Sequence, residues 1–178
     1  MQSLAEYTHS INNGQNTPFT LYYPYMSTAV FAAGCFWGVE QIFAAMSGVQ
    51  KTRVGYMGGH TANPTYEEVC TDTTGHAEVV KVWFDETQIS YETLVEKFFA
   101  LHDPTQRNQQ GVDIGSQYRS EIFTHDGEQE QIAQGILQKI QTKYSKPIAT
   151  RITNESPFYD AEEYHQEYFK KHNITCHI

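Results

Sequence analysis

Apolar positions fall in short blocks along the 178-residue chain, and the spacing inside each block names its element. Thr28-Ala29-Val30-Phe31-Ala32-Ala33 is a short apolar run of strand length, read as a buried strand. Val39, Ile42, Phe43 and Met46 follow at i, i+3, i+4 and i+7, the stripe of an amphipathic helix. Residues 49–56 read as a second strand ending at Gly58-Gly59, and residues 60–75 as a loop with one helical turn opened by Pro64. Glu78, Val80, Val82 and Phe84 then alternate with Ala77, Val79, Lys81 and Trp83, a strand with two largely apolar faces. Ser90 caps a helix whose Leu94, Val95, Phe98, Phe99 and His102 share one face.

Beyond it the pattern predicts a polar loop over residues 103–115 and a strand over 117–123. A long helix follows, carrying Ile132, Ile136, Ile140 and Tyr144, and then a short strand over 149–152. Asp160 and Glu163 have the spacing of a capping box that opens a last helix. Strands and helices alternate in two β-α-β-like halves. The expected class is therefore α/β (α+β), a two-layer sandwich with a mixed sheet and a ferredoxin-like core. Residues 1–26 lack a period, are rich in Asn, Gln, Ser and Thr, and contain Pro18 and Pro24. They read as an extension, although Phe19, Leu21, Tyr22, Tyr23 and Tyr25 predict that part of it packs. Residues 27–178 form the single catalytic domain of this reading.

Charge narrows the possible partners. Twelve Lys and Arg against 21 Asp and Glu give a net charge of −9, which argues against nucleic acid and against an anionic membrane surface. No apolar run approaches a membrane span, and the N-terminus has no basic-then-apolar leader, so the expected location is cytoplasmic. Three cysteines (Cys35, Cys70 and Cys176) cannot all pair, and no C-x-x-C or H-E-x-x-H is present. A metal site is not expected. Nor is a flavin or nicotinamide cofactor, since G-x-G-x-x-G is lacking.

The chemistry centres on Gly34-Cys35-Phe36-Trp37-Gly38, which joins the first strand to the first helix. A cysteine at such a turn has first-turn N–H groups directed at its sulfur, and a helix N-terminus favours the thiolate, the nucleophilic form. Phe36 can join the core stripe, while Trp37 is rotated off it toward whatever docks at Cys35. A lone cysteine is commonly a buried structural residue. The two glycines, the turn and the off-stripe tryptophan favour a reactive one.

The same residues resemble the signature of the A-type peptide methionine sulfoxide reductases. The resemblance continues through Arg53-Val54-Gly55-Tyr56-Met57-Gly58-Gly59, Asn63-Pro64-Thr65-Tyr66, Gly75-His76-Ala77-Glu78-Val79 and His102-Asp103-Pro104-Thr105. It extends through Gly115-Ser116-Gln117-Tyr118-Arg119-Ser120 and residues 158–166, covering roughly residues 28–178. It implies thiol-dependent reduction of methionine S-sulfoxide, free or in oxidised proteins, with thioredoxin as reductant. Cys35 would attack the sulfoxide sulfur, leaving an oxygen that must be protonated.

Glu78 shares a strand face with Val80, Val82 and Phe84, and a carboxyl among apolar groups stays neutral and able to donate. From the residues alone, a solvated Glu78 at a wet strand start is an equal alternative; the resemblance assigns it the acid role. Tyr66 and Tyr118 would donate to the same oxygen. Asp113 would help hold the substrate region, and Phe36 and Trp37 would surround the substrate methyl group. The resulting sulfenic acid on Cys35 needs a resolving thiol. Cys70 reads as packed in its helical turn, whereas Cys176 lies on a tail that can swing. The ending Cys176-His177-Ile178 also resembles family members with a single recycling cysteine. His102 and His165 read as structural. A thiol peroxidase and a peptide-binding module that grips with Trp37 are the competing readings.

Overall fold

The computed structural model describes residues 26–173. Its core is a six-stranded sheet made of β1 (Met26–Ala33), β2 (Val49–Met57), β3 (Ala77–Asp85), β6 (Ser120–Thr124), β7 (Arg151–Asn154) and β8 (Tyr159–Asp160), ordered β7-β6-β1-β3-β2-β8. Every neighbouring pair is antiparallel except β6 and β7, so the sheet is mixed. Around it run α1 (Phe36–Ala44), α2 (Tyr66–Cys70), α3 (Tyr91–Ala100), α4 (Gly127–Gln141) and α5 (Tyr168–Lys171). A separate two-stranded hairpin joins β4 (Gln109–Gln110) to β5 (Asp113–Ile114). The architecture is the expected α+β sandwich.

Strand parity divides the core. Ala29, Phe31 and Ala33 of β1 lie in the main cluster with Val80, Val82 and Phe84 of β3, Val39 and Phe43 of α1, and Leu94, Val95 and Phe98 of α3. Val30 and Ala32 face the other way, with Val79, Met57 and Phe123. Phe31 sits at the centre, its ring 5.0 Å from that of Phe43 and 5.4 Å from that of Phe98. Truncating such a buried aromatic to alanine costs about 3–5 kcal/mol. The same parity directs Glu78, two residues before Val80, toward the helix layer and not toward solvent. It is 1% exposed.

Several expectations need correction. The polar loop over residues 103–115 contains the β4–β5 hairpin, whose two-residue strands are too short for a period. A 3-10 turn over Ser116–Tyr118 precedes β6, so the strand starts three residues later than expected. β7 lies two residues beyond the expected 149–152, and α4 stops at Gln141, before Tyr144. No capping box forms at Asp160, which instead ends β8 and pairs with Arg53 at 3.0 Å. The last helix, α5, begins only at Tyr168.

Candidate active site

The turn after β1 presents the nucleophile. Gly34 has φ of +92°, and a Cβ there would stand 2.8 Å from Gln110 Cβ, so glycine lets the turn seat against the hairpin. Cys35 follows as the N-cap of α1 and is half-buried. One expected feature differs: the first N–H of α1, on Phe36, donates to Glu78 Oε2 at 3.0 Å and not to the cysteine sulfur. This hydrogen bond joins the start of α1 to the start of β3 beside the thiol.

Burial drives Glu78 upward to a pKa of about 8; the Phe36 N–H works against the rise and the charge of Asp113 adds to it. Among the described residues no Lys or Arg lies within ion-pair distance of it. At neutral pH the carboxyl is mostly protonated. The wet strand start, an open alternative from the sequence, does not occur.

Two phenols converge on this carboxyl. Tyr118, half-buried in the 3-10 turn, has its pKa raised to about 12 by burial and by the nearby Glu78, Cys70, Asp113 and Cys35. Tyr66 opens α2, where Thr65 and Glu68 form a capping box. Its O–H donates to Cys70, and burial, that bond, Glu78 and Tyr118 all keep it protonated. Asp113 lies on the β4–β5 hairpin with its charge felt at both Glu78 and Tyr118. The structure therefore gathers Cys35, Glu78, Tyr66, Tyr118 and Asp113 at one end of the sheet. Cys70 joins them, but it is exposed, not packed as expected. Cys176 lies outside the described residues.

Phe36 is buried at 1% exposure, while Trp37 is half-buried, as its off-stripe position required. Trp37 stacks on Tyr168 with centroids 3.9 Å apart, and its Nε1–H donates to His165 Nδ1 at 3.1 Å. His165, read from the sequence as structural, has a packing role. It is 1% exposed and packs against Phe36 at 5.2 Å, Tyr66 at 4.5 Å and Tyr164 at 4.1 Å. Because Nδ1 accepts a hydrogen bond, the proton of the neutral ring sits on Nε2, and burial keeps the ring neutral.

Glu162 was missed. Its Oε2 accepts from Tyr56 O–H at 2.9 Å and its Oε1 from Tyr66 N–H at 2.8 Å, which ties α2 to β2. The density of aromatic and polar residues in 158–166 was the available signal. His102 is structural as expected, bridging Phe98 O at 2.7 Å and Ser120 Oγ at 2.7 Å. Among the described residues no three His, Cys, Asp or Glu side chains cluster to hold a metal.

A half-buried cysteine at a helix N-terminus, beside a buried carboxyl and two phenols, has the parts of a thiol-dependent reductase. The model of the peptide methionine sulfoxide reductase family matches residues 27–178. A peptide methionine sulfoxide reductase MsrA of Acidobacterium capsulatum is 51% identical over 156 residues, covering 86% of this chain and all of that protein. A probable peptide methionine sulfoxide reductase of Schizosaccharomyces pombe is 51% identical over 152 residues, covering 82% of this chain and 89% of its own. Among solved structures, reduced Mxr1 of Saccharomyces cerevisiae superposes with a TM-score of 0.82 at 34% identity, over 86% of this chain and 90% of that one. Mxr1 in complex with Trx2 gives a TM-score of 0.60 at 28% identity, over 82% and 86% of the two chains. The chain belongs to the peptide methionine sulfoxide reductase family.

Proposed function

We propose that this enzyme reduces methionine S-sulfoxide, free or in oxidised proteins, to methionine, with thioredoxin as the final reductant, and so repairs oxidised protein. The buried, unpaired-by-cation Glu78 carboxyl, held at 3.0 Å by the Phe36 N–H next to Cys35, carries this reading. The Cys35 thiolate attacks the sulfoxide sulfur, and Glu78 passes its proton to the oxygen while Tyr118, and Tyr66 once its O–H turns from Cys70, donate hydrogen bonds to it. The protonated oxygen then passes from the substrate sulfur to the Cys35 sulfur as the new S–S bond and the substrate S–O bond break, so the substrate leaves as the thioether, two electrons richer, and Cys35 is left as a sulfenic acid. Phe36 and Trp37 enclose the substrate methyl group, and Asp113 holds the polar side of the site.

The Cys176 thiol then attacks the sulfenic sulfur, water leaves, and a Cys35–Cys176 disulfide forms. A dithiol thioredoxin reopens it by exchange. Residues 27–178 act as one catalytic domain with 1–26 as an extension. No helix of the described residues is long and apolar enough to cross a membrane, and we place the enzyme in the cytoplasm.

Consumption of dithiothreitol tests this reading. It should require methionine S-sulfoxide; consumption with hydrogen peroxide alone would identify a peroxidase, and no consumption with either would identify a binding module. Cys35→Ser should abolish turnover, since a serine hydroxyl is not ionised near neutral pH. Cys176→Ser should convert about one equivalent of substrate and then stall on thioredoxin, whereas Cys70→Ser should not stall. The reverse pattern would make Cys70 the resolving thiol.

A further inference from the structure

The exposed large hydrophobic side chains of the described residues are Val112 at 93%, Ile114 at 76% and Tyr164 at 57%. Apolar surface scattered singly over a protein is ordinary, but each of these three lies on a segment that carries a residue at the site. Val112 and Ile114 flank Asp113 on the β4–β5 hairpin, and Asp113 is close enough for its charge to act on Glu78 and Tyr118. That hairpin is fixed against the catalytic turn. Gln110 packs on Gly34, accepts from Asp103 N–H at 3.2 Å and donates to Asp103 O at 3.1 Å. Ser116, just beyond the hairpin, donates its N–H to Asp72 Oδ1 at 2.9 Å, which ties this loop to the end of α2. On the other side, the Tyr164 ring lies 4.1 Å from that of His165, which contacts both Phe36 and Tyr66.

We propose that Val112, Ile114 and Tyr164 form an apolar rim that docks the polypeptide on either side of an oxidised methionine, so that extended, apolar-flanked segments are the preferred substrates over the free amino acid. This rests on the reductase reading. The rim is continuous with the site that takes the methionine side chain, and a free amino acid carries no neighbours to reach it. Successive residues of an extended chain advance by about 3.3–3.6 Å, so the one or two residues beside the methionine pass over this border. Burying an aliphatic side chain there strengthens ground state and transition state alike, an effect that appears in KM and leaves kcat unchanged.

Three substrates and two reductants test the proposal in the full-length chain with Val112→Ser and Ile114→Ser combined. The substrates are N-acetyl-methionine S-sulfoxide and two blocked peptides carrying methionine S-sulfoxide, one flanked by Leu and Phe and one by Ser and Gly. With dithiothreitol, kcat/KM for the Leu/Phe peptide should fall about tenfold through KM, the scale of one or two aliphatic contacts, while the acetylated amino acid is unaffected. An equal loss on all three substrates, or none on the Leu/Phe peptide, overturns the rim. So does a loss seen only when thioredoxin replaces dithiothreitol, which would assign the surface to the reductant. No turnover of the acetylated amino acid by the parent enzyme would sink the reductase reading itself.

Discussion

Glu78 and Glu121 lie on the same sheet, and each is 1% exposed, yet they are kept in opposite ways. Glu121 points to the face of the sheet away from the helices. There it pairs with Arg119 Nε at 2.5 Å and Arg151 Nε at 3.4 Å and accepts from Thr153 O–H at 3.0 Å. Glu78 points to the helix face and receives one backbone N–H, with a second acid, Asp113, raising its pKa further. Burial alone therefore does not make a proton donor. Burial without a cation does, because the neutral form is the one that needs least from its surroundings. One glutamate holds the sheet together; the other costs the fold something and can give up a proton.

The largest expected effect separates the two in function. Glu78→Gln keeps the shape and the acceptor for Phe36 N–H but has no proton to lose, so the chemical step should slow by about 10²–10⁴-fold in single turnover. If the rate barely changes, the proton comes from Tyr118 or Tyr66. Removing a partner of the other acid should act on stability instead. Arg119→Met leaves Glu121 buried beside Arg151 alone, and urea unfolding should show a loss of about 3–5 kcal/mol, the usual consequence of breaking a buried pair. A loss under 1 kcal/mol would mean that Arg151 and Thr153 suffice.

A smaller effect concerns stability and pH. Glu78 has a folded pKa of about 8 against the ordinary 4.5 of a glutamate carboxyl. Below 4.5 both folded and unfolded chains hold the proton, and Glu78 contributes no pH dependence. As pH rises toward 8 the unfolded chain releases its proton while the folded chain keeps it, so unfolding becomes progressively easier, by about 1.4 kcal/mol per unit at most. Above 8 both are ionised and the penalty is constant. The stability of Glu78→Gln relative to the parent should therefore climb between these limits by a few kcal/mol. A difference independent of pH would show that Glu78 is ionised in the folded enzyme.

How much of this was legible beforehand depended on whether an element is organised by its own period or by a distant partner. β1, β3 and α3 carry their periods in the residues, and parity alone put Glu78 on the inner face. Residues 161–167 do not. Gln166 accepts from Val54 N–H at 2.9 Å and donates to Val54 O at 2.9 Å and Ala161 O at 2.8 Å, so its side-chain amide occupies the edge of β2 in place of another strand. That long-range bonding overrides the helix expected from Asp160. The bond from Trp37 to His165 was out of reach of a local reading for the same reason, since it spans 128 residues. First-turn N–H groups were expected at the sulfur, and a helix start read in isolation gives no account of a carboxyl arriving from β3 to take the one on Phe36.

If Glu78 is a neutral acid poised beside Cys35, the rate of a single turnover must follow its proton as pH rises. Rapid mixing of reduced enzyme with excess methionine S-sulfoxide, followed by quantification of methionine formed, gives the rate of the first step without recycling. The parent should show a decline above a pH of about 8, following ionisation of Glu78. Glu78→Gln should be slow throughout and lack that decline. The same decline in the variant, or a parent rate that stays level through pH 9.5, would contradict the account.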